Sequence, residues 1–207
     1  MNAADIKGAV TCISGVMDEN KDYLISLDQQ NGDGDLGISM SCGFRAVVEY
    51  LASAEDTDLG KLLMKCSSAF NESAPSSLGT ILSFGMIGMA KALRGKAEAS
   101  LAELAGAMDA GVRLIMEKAG SKPGEKTVLD ALCPAVGTLV ENSGANCKEA
   151  FSLAAKAAAV GSESTKEMRS VHGRAAYYGD KSIGLLDGGS VVGKLIFEGI
   201  ETYCASR

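Results

Sequence analysis

Residues 2–37 read NAADIKGAVTCISGVMDENKDYLISLDQQNGDGDLG. Apolar side chains recur at Ile6, Val10, Ile13, Val16, Met17, Tyr23, Leu24 and Leu27, a three-to-four-residue spacing that lines one face of an α-helix. The spacing predicts one long amphipathic helix. Asn2 suits its N-cap, and Asp5 stands in the first turn, where a carboxylate meets the positive end of the helix dipole. The periodicity stops at Asp28, and a polar, glycine-rich turn runs to Gly37.

The same period continues outward. A second helix carries Met40, Phe44, Val47, Val48 and Leu51. A third starts at Asp58 and carries Leu59, Leu62, Leu63, Cys66 and Phe70. Polar residues and Pro75 predict a loop over 71–77, before a fourth helix with Leu78, Ile81, Leu82, Met86, Met89 and Leu93. Ser100 and Glu103 form a capping-box pattern that opens a fifth helix, closed by Gly120. A sixth is expected from Thr127 to Ser143, kinked at Pro134, and a seventh, rich in Ala, from Cys147 to Arg169. A glycine-rich loop, Gly173 to Gly189, leads to a last helix with Val191, Val192, Leu195, Ile196 and Ile200. Alternating β-branched runs are missing, so no strand is predicted. The expectation is an all-α chain forming a single domain over residues 1–207, with about eight mostly antiparallel helices, since the connections are short.

Composition agrees. Hydrophobic residues are 46% of the chain, enough for a core, and aromatics only 5%, leaving Ala, Leu, Met and Val to fill it. The net charge of −6 and the lack of a basic stripe argue against nucleic acid or an anionic membrane as partner. No apolar run spans a bilayer and the N-terminus does not read as a signal peptide, which predicts a cytoplasmic protein. The six cysteines are scattered without a CxxC pair, so neither a zinc ribbon nor a disulfide scaffold is indicated.

Asp28, Asp33 and Asp35 are the sharpest feature, three carboxylates between two helices. Hard cations such as Mg²⁺ take oxygen ligands of this kind, and Gly32, Gly34 and Gly37 let a backbone fold tightly around one. An EF-hand does not fit. With Asn31 as first position, Leu36 falls where Gly is required and Cys42 where a bidentate Glu is required. A solvated Asn-Gly-Asp-Gly turn remains the plain alternative. Three further stretches have candidate chemistry. Glu72 to Thr80 offers hydroxyls and a helix start. Lys122 to Thr127 is a turn in which Lys126 reads as solvated, as most lysines are. His172 to Gly189 is a long loop in which Arg174 is a natural phosphate clamp.

Taken in order, the Asp-x4-Asp-Gly-Asp-x-Gly loop, a Gly-Thr helix start, Pro-Gly-Glu-Lys-Thr, Gly-Arg-Ala-x-Tyr-x-Gly-Asp-Lys-Ser-Ile-Gly and Asp-Gly-Gly resemble the nucleotide-binding L subunit of dihydroxyacetone kinase, the DhaL family. The resemblance covers essentially the whole chain. It implies an eight-helix antiparallel barrel and two Mg²⁺ ions held by Asp28, Asp33 and Asp35 against the phosphates of ADP or ATP. By the same resemblance Leu36, Gly37, Ile38 and Ser39 bind phosphate, and Ser73 and Ala74 bind nucleotide. Ala119 and Val128 lie near the base, and Arg174, Asp187, Gly188 and Gly189 complete the pocket, with Arg174 the candidate catalytic residue. The family commonly has His where this chain has Leu36, and Asp-Pro-Gly where it has Asp187-Gly188-Gly189.

The resemblance further implies a kinase acting on dihydroxyacetone or a related short ketose. The substrate would be held by a separate K-type subunit, and a phosphotransferase-system M subunit is one candidate phosphodonor. A homodimer is expected. The competing reading is a regulatory module that holds Mg-nucleotide and signals to a partner protein.

Overall fold

The computed structural model describes residues 1–207 and consists of helices, with no strand. They are α1 (Ala3–Glu19), α2 (Lys21–Asp28), α3 (Leu36–Ser53), α4 (Leu59–Ser73), α5 (Ser77–Ala92), α6 (Leu101–Ala119), α7 (Leu129–Glu141), α8 (Cys147–Ser164) and α9 (Gly188–Ala205). Two 3-10 segments, Thr165–Glu167 and Arg174–Ser182, lie between α8 and α9.

The caps expected at Asn2 and Ser100 are made, and Asp58, where the third helix is expected to start, makes one as well. The Asn2 side chain accepts from the N–H groups of Ala4 and Asp5, and the Asp5 carboxylate accepts from the Asn2 N–H at 2.7 Å. Asp58 caps α4, and Ser100 with Glu103 closes a second capping box on α6. Each satisfies N–H groups that a helix leaves without an internal partner.

Three boundaries differ from the sequence expectation by more than two residues. The first helix is two helices, because Asn20 leaves helical geometry (φ −100°, ψ 8°) and its side-chain amide donates to the Val16 carbonyl at 2.8 Å. A short amide side chain that bonds the local backbone competes with helix continuation. The expected loop at 71–77 shrinks to 74–76, since α4 continues through Ser73. The seventh predicted helix ends at Ser164, not Arg169, by tightening into a 3-10 turn.

Leaving α2 aside, each helix packs on the next, and α9 returns to pack on α1, closing a ring of α1 and α3 to α9. Directions alternate around it. Tyr203, near the end of α9, donates its hydroxyl to Asp5 at the start of α1, and Gly199 abuts Ile13 midway along both. The apolar faces turn inward to make one core, in which Phe44 and Phe70 pack edge-on at 4.9 Å. Along the axis they leave a cavity of about 190 Å³, walled by side chains such as Val10, Phe44, Leu63, Met86, Val112 and Ile196. No helix is long and apolar enough to cross a membrane.

Alternation decides where a site can form. The N-termini of α3, α5, α7 and α9 all fall at one end of the ring, joined by the connections 29–35, 74–76, 120–128 and 165–187. This end gathers four positive dipole ends and the longest connection in the chain.

Closing the ring needs backbones to touch. A Cβ on Gly88 of α5 would lie 2.6 Å from the Gly111 Cα and 2.7 Å from the Ala110 carbonyl oxygen of α6. Gly88→Ala should therefore cost about 1–3 kcal/mol by overpacking, even though Ala is the better helix former. Gly106→Ala, on α6 with open space around it, should instead stabilise by about 0.5–1 kcal/mol. Urea unfolding of the two variants checks the contrast. Equal effects would mean that the α5–α6 contact is not backbone-limited.

Candidate functional site

The connection 29–35 is built around Asp28, the last residue of α2. One carboxylate oxygen of Asp28 accepts from the Gly34 N–H at 2.8 Å and the Asp35 N–H at 3.0 Å. The Gly32 N–H returns to the Asp28 carbonyl at 2.6 Å. Gly34 turns the chain with φ +77°, a conformation a side chain would oppose. Gly32 leaves room for the Asp28 carboxylate, which any Cβ there would strike.

The wrap brings the three expected aspartates together. Asp28, Asp33 and Asp35 each present a carboxylate oxygen within 4.8 Å of the other two. Asp35 stands at the N-cap position of α3 yet makes no capping bond, leaving its carboxylate free. Burial, and then the charges of Asp33 and Asp28, hold that carboxyl above its ordinary value. Crowded like charges with an all-oxygen donor set fit a hard divalent cation. Arg174, reaching over from the connection 165–187, forms an ion pair with Asp33.

Leu36, Gly37, Ile38 and Ser39 make the first turn of α3 beside this cluster, where N–H groups have no partner inside the helix. Gly37 is required by packing, since a Cβ would strike the Lys21 carbonyl. Leu36 is buried and its side chain abuts Gly188, so the N-termini of α3 and α9 lie against one another. Gly189 in turn faces Val128, which is buried at the start of α7. The Ser39 hydroxyl meets that of Ser76, the N-cap of α5, at 2.7 Å. The starts of α3, α5, α7 and α9 are thus linked by named contacts.

Ser73 ends α4 and Ala74 follows as its C-cap. The Ala74 side chain is buried, its N–H donates to Phe70 and its carbonyl accepts from Ser76. In this connection it is Ser76, which the sequence did not single out, whose hydroxyl reaches the first turn of α3. Ala119 ends α6 directly before Gly120, whose left-handed backbone (φ 61°) turns the chain into the strap 120–128.

Asp187 caps α9, accepting from the Ser190 N–H at 2.6 Å. The protein packed around its carboxyl nevertheless pushes it up to about 7, against the opposing pull of that bond and of Lys126. Lys126 is the clearest departure from expectation. It is 3% exposed, not solvated, and its ammonium donates to the carbonyls of Met168, Ser182 and Leu185. His172, the only histidine, pairs with Glu125 of the same strap at 2.6 Å, a bond that lowers the Glu125 carboxyl.

Comparison with known proteins bears on this geometry. The DAK2 domain family model matches residues 30–202. The ADP-binding subunit DhaL of the PEP-dependent dihydroxyacetone kinase of Escherichia coli (strain K12) is 30% identical over 195 residues, covering 92% of this chain and 91% of that protein. Triokinase/FMN cyclase of Homo sapiens is 32% identical over 183 residues, 87% of this chain and 32% of that protein. Among solved structures, the dihydroxyacetone kinase of C. freundii superposes with a TM-score of 0.77 at 21% identity over 98% of this chain. The same enzyme in complex with AMP-PNP and Mg²⁺ gives a TM-score of 0.76. The chain spans 34% of the length of those solved chains, and the likeness to them shows a shared helical-barrel fold.

The raised Asp187 carboxyl sets a pH dependence. Between its ordinary 3.8 and about 7 the folded chain holds a proton that the unfolded chain has released. Stability from this group therefore falls as pH rises through that window. Asp187→Asn keeps a capping oxygen but cannot titrate, so its thermal midpoint should decline less than that of the wild type between about pH 4 and pH 7. Asp35, also raised, is common to both proteins and cancels in the comparison. Parallel midpoint curves would place the Asp187 carboxyl in the ordinary range.

Proposed function

This chain belongs to the DAK2 domain family, and we propose that it is the Mg-nucleotide-binding, phosphoryl-transfer subunit of a kinase for dihydroxyacetone or a related short ketose. One observation carries the proposal: three carboxylates converge at the end of the barrel where four helix N-termini meet, with Arg174 at their edge. The arrangement suits a polyanion bound together with cations, since the N–H groups receive the anion and the carboxylates receive the metal. Two Mg²⁺ ions held by Asp28, Asp33 and Asp35 would supply neutralisation of phosphate charge.

The protein groups have distinct roles in this reading. N–H groups of Leu36, Gly37, Ile38 and Ser39 bind the phosphates of ADP or ATP. Ser73 and Ala74 border the nucleotide through the 74–76 connection, and Ala119 and Val128 flank the base. Asp187, Gly188 and Gly189 form the opposite wall, where the two glycines let the start of α9 close onto Leu36 and Val128. Arg174 exchanges its partner Asp33 for the transferring phosphoryl group, whose negative charge a guanidinium stabilises through two oxygens. Residues 1–207 act as one nucleotide-binding domain.

A K-type subunit would supply the ketose, as the E. coli relative's description as an ADP-binding subunit supports. The "PEP-dependent" in that relative's name supports an M-type phosphodonor as a second partner. Homodimerisation and a cytoplasmic location complete the proposal.

Titration calorimetry of ADP into nucleotide-free protein, with and without Mg²⁺, tests the site. Binding should require Mg²⁺ and weaken by more than about 100-fold in an Asp33→Ala, Asp35→Ala double variant, which removes two of three charged ligands. Mg²⁺-independent binding, or an unchanged double variant, would remove the aspartate cluster from the site.

A further inference from the structure

We propose that Lys126 is a positioning residue that holds the 168–187 flap, and through it Arg174 and Asp187, over the nucleotide site. The proposal rests on the nucleotide reading given above for its functional meaning, and on bonding geometry for its physical basis.

Lys126 is costly where it stands. It is the only non-glycine residue with positive φ, 62°, a backbone state that side chains oppose. It is also buried, where an ammonium must be fully hydrogen-bonded to be tolerated. The compensation is complete. Its nitrogen donates to Ser182 and Leu185 at 2.6 Å each and to Met168 at 3.2 Å, which uses all three N–H bonds. No donor remains for a phosphate, so Lys126 acts through other groups.

The acceptors show which groups. Met168 stands where the flap leaves the barrel, and Ser182 and Leu185 stand where it returns. One ammonium therefore draws both legs of the flap together, with Arg174 on the lobe between them. Leu185 also precedes Asp187, the cap of α9, by two residues. Other bonds close the same base: the Gly184 N–H donates to the Lys166 carbonyl at 2.7 Å and the Ser170 N–H to the Ser182 hydroxyl at 2.9 Å. The pair of His172 with Glu125 adds an outer tie to the residue next to Lys126. Among these ties only Lys126 joins both legs to the strap 120–128.

The test is trypsin digestion of the nucleotide-free full chain, with cuts mapped by mass spectrometry, for wild type, Lys126→Met and Lys126→Arg. Arg169, Arg174 and Lys181 provide cleavage sites within the flap. Lys126→Met keeps the apolar stem and removes the donors. Cleavage within the flap should rise by at least about tenfold, since it tracks the population of the open form. The helical circular dichroism should stay unchanged, and Mg-ADP binding should weaken by about tenfold as the competent flap is populated less. Lys126→Arg, which retains charge and donors, should recover part of both. Flap cleavage at the wild-type rate, or acceleration spread evenly over the chain, would overturn the proposal. Should Lys126→Met not fold, amide exchange in the wild type decides. Ser170 and Gly184 opening together supports the staple, and Gly184 exchanging like a free peptide overturns it. Cleavage is read without nucleotide, so a wild type that binds no Mg-ADP would sink the nucleotide reading while leaving the flap result to stand or fall by itself.

Discussion

A closed ring of helices gives every member two neighbours, and a ring of eight with alternating directions must place four N-termini at the same end. From that constraint follow the position of the site, the polarity of its walls and the need for backbone contacts such as Gly88 on Gly111 and Gly199 on Ile13. An odd number of helices would force one parallel pair and a longer crossover. Here α2 is spent outside the ring, and its C-terminal residue, Asp28, is free to organise the aspartate connection.

Pro134 shows how packing absorbs a local defect. Proline removes the N–H that would bond the carbonyl of Asp130 within α7. Gly161 of α8 lies directly against that carbonyl, in space that a Cβ would occupy. The proline and the glycine are thus matched across a helix interface, and the same approach carries the end of α8 toward the strap and the flap.

What the sequence disclosed and what it hid divide by distance along the chain. Helix periods and caps are local, and the caps at Asn2 and Ser100 and the helix start at Asp58 are legible. So is the aspartate cluster, whose members fall within one turn and one connection. The break at Asn20 was missed because the apolar period runs through it unbroken, while a single side-chain bond to Val16 ends the helix. Lys126 was misread for a different reason. Its acceptors lie 42 to 59 residues away, and nothing in Gly-Glu-Lys-Thr announces a buried ammonium. Ser76 is not singled out by the sequence, because only the ring brings it against Ser39. The ring itself, and the roles proposed for Ala119, Val128 and the residues at 187–189, rest on family resemblance and not on local pattern.

The four converging N-termini belong to a chain with a net charge of −6. Peptide dipoles act over the first turn of a helix, whereas the excess of carboxylates is felt over roughly a Debye length, about 10 Å at 0.1 M salt. A multiply charged anion is therefore repelled on approach and attracted only on arrival, unlike one drawn in by a basic patch. Added salt weakens long-range repulsion more than short-range hydrogen bonding, so if such an anion is the ligand, moderate ionic strength would quicken its capture where it would slow capture by a cationic mouth.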